Sequence, residues 1–175
     1  MVLESFMKVN RTRIEELNPP HIILSGQSHP WDNYSPESLV CVVDVIRNAR
    51  QPILGVCGGH QQIALAYGAR VDVMKRLGPG VGYENCLRER GFYDITTSGN
   101  GIFEGLPSRL NVWHSHFDEV KELPEDFKCT ASNETCTIQA MQHVSRPVFG
   151  VQFHPELFDD AHPDGRSVVK NFLDL

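Results

Sequence analysis

The sequence predicts an α/β fold, a three-layer arrangement with a mostly parallel open sheet and a smaller antiparallel region. Two short apolar runs, residues 21–24 and Ile53–Val56, are each followed by a turn and a helix-like pattern. Such alternation of strand and helix is typical of parallel sheets that carry helices on both faces. From Ala69 onward the apolar runs are shorter and alternate with polar residues, which indicates antiparallel or edge strands.

The first strand–helix unit places a buried strand at residues 21–24 and a polar, aromatic loop at 27–34. Ser35 is a good N-cap and Pro36 suits the first helical position, so a helix is predicted to begin here. Its apolar residues recur at positions i, i+3, i+4 and i+7 and form one face: Leu39, Val42, Val43 and Ile46. Pro52 predicts the end of this unit.

The second unit runs from the strand Ile53–Val56 through Cys-Gly-Gly-His at 57–60 into a helix that ends at Gly68. The short strands predicted beyond it share an alternating pattern and Gly or Pro boundaries: 71–73, 93–95, 110–113, 127–129 and 137–140. A buried strand at 148–153 and an amphipathic helix close the chain. The sequence contains no repeat and no linker, so a single domain over residues 1–175 is predicted.

The composition favours a globular protein and excludes several classes of function. Of 175 residues, 41% are hydrophobic and 22% are charged, which is enough apolar material for a core. The net charge of −6 and the lack of a basic run argue against a nucleic-acid-binding surface. No apolar stretch approaches the roughly 20 residues that span a membrane, and residues 1–10 lack the pattern of a secretory signal. A cytoplasmic location is therefore expected.

One of the five cysteines, Cys57, is the candidate nucleophile. The odd number of cysteines and the lack of a CxxC pair predict reduced thiols. Cys57 follows a predicted buried strand, and Gly58 and Gly59 allow a tight turn into the next helix. The positive end of that helix favours a thiolate. The alternative is a buried cysteine in an ordinary glycine turn.

His154 is the candidate base, because it also closes a predicted buried strand and is expected at the same edge of the sheet as Cys57. Glu156 lies two residues further on, and Pro155 stiffens the backbone between them. In an extended segment, residues two apart point the same way, so this carboxylate can orient the imidazole. The alternative is a solvated His-Pro-Glu turn.

Together, the segments Gly-Val-Cys-Gly-Gly-His-Gln at 55–61 and Gly-Val-Gln-Phe-His-Pro-Glu at 150–156 resemble the class I glutamine amidotransferase family. Residues 22–26 and 113–118 are similar to two further segments of that family, so the resemblance covers nearly the whole chain. Within the family, residues 112–153 are most similar to the glutaminase subunit of GMP synthase. The resemblance implies a flavodoxin-like sheet.

The resemblance also implies a Cys-His-Glu triad made of Cys57, His154 and Glu156. In this family the cysteine attacks the side-chain carboxamide of glutamine, the histidine moves the proton, and the resulting thioester is hydrolysed to glutamate. The ammonia passes to an ATP-using synthetase partner. No Gly-rich phosphate-binding loop ending in Lys-Ser or Lys-Thr is present, so ATP chemistry is expected on another chain. Neither a metal nor a cofactor is expected in this chain.

Further roles are implied by matched family positions. Backbone N–H groups of an oxyanion hole are implied for Gly26, Gln27 and Gly58. Contacts with the amino and carboxylate ends of glutamine are implied for Gln61, Ser115 and His116. Asp118 is expected either to order its own loop or to face the synthetase partner, and a plain solvated loop is the alternative.

The sequence departs from the family pattern at three places. Gln27 stands where the family has glycine, and a residue with a side chain is strained there if the position needs a positive φ. Gly58 replaces a bulkier residue, which is expected to loosen the turn. Residues 6–10 look like the family's second strand, so the first strand is expected to be missing and a sheet edge to be exposed.

Three other functions remain open from the sequence. A metal hydrolase would use His114, His116 and His154 as ligands, since a His-x-His pair suits zinc. A free-standing γ-glutamyl hydrolase would keep the triad and act on γ-glutamyl peptides or amines without a partner. A catalytically silent binding or regulatory subunit would fit the departure at Gln27 and the early start of the fold.

Overall fold

The computed structural model describes residues 1–27 and 29–175; Ser28, in the predicted loop 27–34, lies outside the described residues. The α-helices in this part of the chain are α1 (Arg11–Leu17), α2 (Pro36–Asn48), α3 (Gly58–Ala66) and α4 (Asp164–Leu173). The β-strands are β1 (Ile22–Leu24), β2 (Ile53–Val56), β3 (Val71–Val73), β4 (Glu89–Thr97), β5 (Arg109–His116), β6 (Asp118–Val120), β7 (Phe127–Ser132), β8 (Ala140–His143) and β9 (Val148–Val151).

Seven of the described strands form one sheet in the order β1-β2-β9-β8-β7-β4-β5, and β3 pairs separately with β6. β1, β2 and β9 are parallel neighbours, whereas each pairing from β9 across to β5 is antiparallel. The expected α/β class with an antiparallel region is confirmed, and the antiparallel strands continue the parallel sheet. The antiparallel strands make up more of the sheet than expected. Residues 71–151, all of them described, contain no α-helix, and strands that are joined by short turns pair antiparallel.

Two hydrophobic cores lie on opposite faces of the parallel strands. Ile53 and Val148 belong to the core that the helices α1, α2 and α3 cover. Their chain neighbours Leu54 and Phe149 belong to the core that α4 covers. Successive side chains of a strand point to opposite faces, so the unbroken apolar runs of β2 and β9 fill both cores. The sheet is the middle of three layers, as the sequence predicts.

The helix boundaries follow the predicted capping residues. The Ser35 side chain accepts a hydrogen bond from the backbone N–H of Ser38 and begins α2, as the N-cap pattern indicates. α3 ends just before Tyr67 and Gly68, and Gly68 has a φ of +82°, a conformation suited to glycine. None of the helices in the described ranges combines the length and the apolar character needed to cross a membrane.

The strand predicted at residues 6–10 is wrong. This segment forms a turn in which the backbone N–H of Val9 donates to the carbonyl of Ser5. Asn10 then caps α1, because its side chain accepts a hydrogen bond from the backbone N–H of Arg13. A short apolar pattern suits a strand only where another strand lies beside it. Here no described strand pairs with the segment, so the hydrogen bond of the Asn10 N-cap favours a turn followed by a helix.

β1 is an edge strand, with β2 as its neighbour among the described strands. Ile23 at its centre is 52% exposed, while Ile22 and Leu24 on either side are buried. β1 therefore presents an apolar side chain at this end of the described sheet, and the expectation of a missing first strand stays a prediction. The carboxyl end of β1 leads directly to Gly26, which lies against the candidate nucleophile.

Candidate active site

Cys57 lies in the sharp turn between β2 and α3, and its side chain is buried. Its backbone has a φ of 50° and a ψ of −105°, a conformation uncommon for a residue with a side chain. The turn requires glycine at position 59, because a Cβ on Gly59 would lie 2.2 Å from the carbonyl oxygen of Leu24. The sulfur is thus held at the N-terminal end of α3, where the helix favours negative charge.

His154 and Glu156 form a hydrogen-bonded pair beside the cysteine. Nδ1 of the imidazole lies 2.8 Å from a carboxylate oxygen of Glu156. The sequence predicts an extended segment here, but the backbone N–H of Leu157 donates to the His154 carbonyl and closes a turn. A tight turn also brings residues two apart together, so the expected contact forms with a different backbone conformation.

Cys57 and His154 meet over Gly26. A Cβ on Gly26 would lie 3.2 Å from Cε1 of His154 and 3.5 Å from Cβ of Cys57, so both side chains approach the same point. Because the parallel strands β2 and β9 end at the same edge of the sheet, the residues that follow them are neighbours. The structure therefore brings the predicted cysteine, histidine and glutamate together.

The pKa of His154 is raised to about 10. Burial alone lowers this pKa, but hydrogen bonds and charge attraction from Cys57 and Glu156 outweigh burial. The imidazole is therefore protonated at neutral pH.

Gly26, Gln27 and Gly58 lie together next to Cys57. A Cβ on Gly58 would lie 2.7 Å from both the backbone nitrogen and Cγ of Gln27, so the Gln27 side chain fills the space beside Gly58. Gln27 is not among the described residues with a positive φ. The backbone strain that a side chain would suffer at a positive φ therefore does not arise at this position. Two departures from the family pattern are thus in contact, since the larger residue at 27 accompanies the smaller one at 58.

Gln61 is buried, and protein groups engage its amide. Its Oε1 accepts a hydrogen bond from Nε1 of Trp31 at 2.7 Å. Its Nε2 donates to the Asp118 carbonyl and to Oε1 of Gln152, both at 3.1 Å. A contact between Gln61 and the substrate therefore stays a prediction, whereas its contact with Gln152 is one that no sequence motif predicts.

Gln152 is fully buried, and its Nε2 donates to the sulfur of Cys57 at 3.7 Å. It lies two residues before His154, directly after β9. The sequence holds a signal for this contact, since residues two apart on an extended segment share a side. A search for nucleophiles and bases does not find Gln152, because a neutral amide has neither role.

Ser115 and His116 lie at the end of β5, which passes beside Cys57. The carbonyl oxygen of Ser115 lies 3.9 Å from the sulfur of Cys57. His116 is buried, with Nδ1 at 2.9 Å from the Asp118 carbonyl and Nε2 at 2.7 Å from the Glu89 carboxylate. Both ring nitrogens of His116 therefore face oxygen atoms of the protein. It anchors β5 behind the site, and a contact with substrate stays a prediction.

Glu89, at the start of β4, is a buried acceptor for side chains from several elements. Its Oε1 accepts from Nδ2 of Asn133 at 2.7 Å and from the hydroxyl of Thr135. Its Oε2 accepts from His116 at 2.7 Å and from Nε2 of Gln139 at 2.8 Å. Burial raises the pKa of Glu89, but the histidine and threonine hydrogen bonds lower it far below its usual range. The group is an ionised carboxylate, and no sequence motif marks it.

Glu89, His114 and His116 are the one group in the described residues with ligand atoms close enough to hold a metal ion, within 4.8 Å of one another. The Glu89 oxygen lies 2.8 Å from His114 and 2.7 Å from His116, and these are the distances of ion-paired or hydrogen-bonded groups. The metal-hydrolase alternative needs His154 as a third ligand, but His154 pairs with Glu156. The expectation of no metal stays a prediction.

Asp118 is the first residue of β6, and its side chain is bonded to the segment between β3 and β4. Its carboxylate accepts a hydrogen bond from the hydroxyl of Tyr83 at 2.6 Å. The Tyr83 ring stacks on Phe117 with the ring centroids 4.6 Å apart, and the Arg88 guanidinium lies 5.7 Å from the Phe117 centroid. The Asp118 side chain is buried, which differs from the solvated-loop alternative.

The amino-acid sequence matches the sequence model of the family Glutamine amidotransferase class-I over residues 3–175. The chain belongs to the class I glutamine amidotransferase family. The resemblance seen in the motifs is therefore confirmed, and so is its extent along the chain.

Relatives of this class I amidotransferase include two proteins that are named as a subunit of glutamine-hydrolyzing GMP synthase. The one from Thermococcus kodakarensis is 41% identical over 169 residues, which are 95% of this chain and 82% of that protein. The one from Methanocaldococcus jannaschii is 42% identical over 168 residues, which are 93% of this chain and 79% of that protein. The predicted similarity to the glutaminase subunit of GMP synthase is confirmed.

Solved structures share the fold of this class I amidotransferase. A candidate GMP synthase subunit from Thermoplasma acidophilum has a TM-score of 0.80 at 32% identity, over 96% of this chain and 77% of that one. A glutamine amidotransferase from Thermotoga maritima has a TM-score of 0.64 at 23% identity, over 89% of this chain and 61% of that one. The second likeness supports the fold alone.

Proposed function

We propose that the chain hydrolyses the side-chain amide of glutamine to glutamate and ammonia. The observation that carries this function is the contact of Cys57 with His154, whose ring is held by Glu156. Family membership and the names of the relatives support the same reaction. The roles of the individual residues are part of the proposal.

The reaction proceeds through a covalent thioester. The Cys57 thiolate attacks the carboxamide carbon of glutamine and forms a C–S bond, while the carbonyl oxygen becomes an oxyanion. Backbone N–H groups of Gly26, Gln27 and Gly58 stabilise that oxyanion, and each such donor contributes about 10²–10³ in rate. The His154 imidazolium gives its proton to the leaving nitrogen, so the C–N bond breaks and ammonia departs.

Hydrolysis of the thioester completes the cycle. His154, neutral after giving up its proton, takes a proton from water as the water oxygen attacks the thioester carbon. The C–S bond breaks, glutamate leaves, and Cys57 returns as a thiolate next to the imidazolium. Glu156 keeps the ring aligned through both steps.

The ammonia passes to an ATP-using synthetase on another chain, for the synthesis of GMP. Relatives that are named as one subunit of GMP synthase support a partner chain. Delivery has to be sheltered from water, because ammonia is protonated in neutral solution and is then no nucleophile. The lack of a phosphate-binding loop motif in the sequence supports ATP use by the partner. A cytoplasmic location stays a prediction.

Replacement of the nucleophile tests this function. C57A is expected to lower glutamate release by at least about 10³-fold, because the thioester can no longer form. C129A is the matched control, since Cys129 is an exposed free thiol, and its rate should equal that of the native chain. The assay uses the chain alone and the chain with a co-purified synthetase. Glutamate release by folded C57A at the native rate would contradict the proposal.

Two further measurements separate the other functions considered from the sequence. Turnover of γ-glutamyl peptides or amines without a partner, and none of glutamine, would indicate a free-standing γ-glutamyl hydrolase. Failure of an electrophilic glutamine analogue to label Cys57 in folded protein would indicate a silent regulatory subunit. Labelling of Cys57 together with glutamate release would support glutamine hydrolysis.

A further inference from the structure

A chain of hydrogen bonds through two buried amides leads to the nucleophile. Trp31 Nε1 donates to Oε1 of Gln61 at 2.7 Å, and Gln61 Nε2 donates to Oε1 of Gln152 at 3.1 Å. Gln152 Nε2 then donates to the sulfur of Cys57 at 3.7 Å. Gln61 is 2% exposed and Gln152 is 0% exposed, so bulk water does not compete for these groups.

The hydrogen bonds fix the direction of each amide. The indole of Trp31 can only donate, so it selects the oxygen of Gln61. Gln61 then turns its NH₂ toward Gln152, and the carbonyl of Asp118 accepts from the same NH₂. Gln152 has to present its oxygen to Gln61, which leaves its own NH₂ for the sulfur. A reversed Gln152 amide would set two donors against each other and an oxygen against Cys57.

We propose that Gln152 is a positioning residue for the nucleophile: its amide holds the Cys57 sulfur and stabilises the thiolate, and Gln61 and Trp31 set its direction. The inference rests on the proposed function, in which this thiolate attacks glutamine. His154 supplies a positive charge and a proton that leaves during the reaction. The amide keeps its protons at neutral pH, so it holds the sulfur both before and after ammonia departs.

Q152L tests the proposal, because leucine has a similar volume and no hydrogen-bond donor. Alkylation of Cys57 by iodoacetamide, read by peptide mass spectrometry, reports the thiolate without requiring glutamine turnover. The pH midpoint of alkylation is expected to rise by about one unit in Q152L, since a hydrogen bond to a charged group is lost. Q152E should raise the midpoint further, because it places a carboxylate against the sulfur.

W31F tests the direction of the amide without touching Gln152. A phenyl ring lacks the N–H that selects the Gln61 oxygen. W31F should therefore also raise the pH midpoint of Cys57 alkylation, but by less than Q152L. Q142L is the matched control, because Gln142 lies on β8 of the same sheet and outside this chain of amides. Its midpoint should equal that of the native chain, and thermal unfolding checks that every variant is folded.

Glutamine turnover separates positioning from a purely structural role. In Q152L, kcat is expected to fall about tenfold while KM for glutamine changes less than about twofold. If the alkylation midpoints of folded Q152L and W31F coincide with the native one, the proposal is overturned. That result would leave glutamate release by the native chain, and hence the proposed function, unaffected. Should the native chain release no glutamate, the proposed function fails and the alkylation midpoints still decide the role of Gln152.

Discussion

Beside Cys57, the side chain of Gln27 occupies the space that a side chain at Gly58 would need. The backbone nitrogen and Cγ of Gln27 both lie 2.7 Å from the position that a Cβ of Gly58 would take. A side chain at 58 would therefore push against the loop whose N–H groups are proposed to bind the oxyanion. Stability and catalytic rate should respond together to changes at these two residues.

G58A is expected to lower the free energy of unfolding by about 1–3 kcal/mol and to slow glutamate release, because the new methyl group has no space. Q27G removes Cγ, so the double variant Q27G/G58A should recover part of the loss, with a coupling energy of about 1 kcal/mol. Urea unfolding and glutamate release measure both effects. G78A is the control, since a Cβ on Gly78 would meet its nearest atom at 3.9 Å. Strict additivity of the two substitutions would contradict the contact.

The pKa of His154 reports the contact with the nucleophile directly. In the native chain, burial lowers this pKa, but Cys57 and Glu156 raise it to about 10. C57A removes one of the two residues that raise the pKa of His154, so this pKa should fall. E156Q should lower it as well, because it removes the charge of the other residue. NMR titration of the imidazole measures both shifts, with C129A as the control. An unchanged value in C57A would show that the two side chains do not interact.

At the scale of elements, Glu89 joins strands that are far apart in the sequence. Its carboxylate at the start of β4 bonds to His116 at the end of β5. It also bonds to Asn133 and Gln139, in the segment between β7 and β8. The Ser115 carbonyl next to this histidine lies 3.9 Å from the sulfur of Cys57. The hydrogen bond between Glu89 and His116 therefore holds the end of β5 beside Cys57.

E89Q is expected to lower the free energy of unfolding by about 3–5 kcal/mol, because it removes the buried carboxylate that accepts hydrogen bonds from His116 and Gln139. The glutamine would also turn an NH₂ toward groups that donate to the native carboxylate. Urea denaturation measures the change, and E125Q is the control because Glu125 is exposed. A loss below about 1 kcal/mol, the range of surface ion pairs, would be inconsistent with a buried one.

The strand–turn–helix units and the candidate triad could be predicted because their signals are local. Cys57 and His154 each follow an apolar run, and parallel strands bring such ends to one edge of a sheet. The role of Glu89 could not be predicted, because its partners on β5 and in residues 133–139 are set by the pairing of distant strands. The strand predicted at residues 6–10 failed for the opposite reason, since a local N-cap starts a helix where no neighbouring strand is available.

At the scale of the whole molecule, a neutral histidine in the core sets part of the pH dependence of stability. His60 on α3 is fully buried, and burial together with the charge of His116 lowers its pKa to about 3. In the unfolded chain a histidine has a pKa of about 6.5. Below that value the unfolded chain binds a proton that the folded chain does not, so stability falls as the pH falls.

Between about pH 6.5 and about pH 5, the native chain is expected to lose up to about 1.4 kcal/mol per pH unit from His60 alone. H60Q should lessen this slope, whatever its stability at neutral pH, because glutamine binds no proton. Urea unfolding at several pH values measures the slopes. His154 does not change the stability between these pH values. Its pKa is raised to about 10, so its stabilising contribution is fully present below about pH 6.5 and is lost only as the pH rises toward about 10. Equal slopes for the two proteins would contradict a neutral His60.

β2 and β9 pair through Val56 and Val151, and the backbone N–H of Cys57 continues this pairing by donating to the Val151 carbonyl at 2.8 Å. Cys57 therefore follows directly on the pairing of two inner strands. The hydrogen bonds of such a pairing open only when the entire core comes apart, so their amide protons exchange slowly with solvent. On heating, catalytic competence should therefore persist up to the cooperative melting transition and vanish within the same temperature interval.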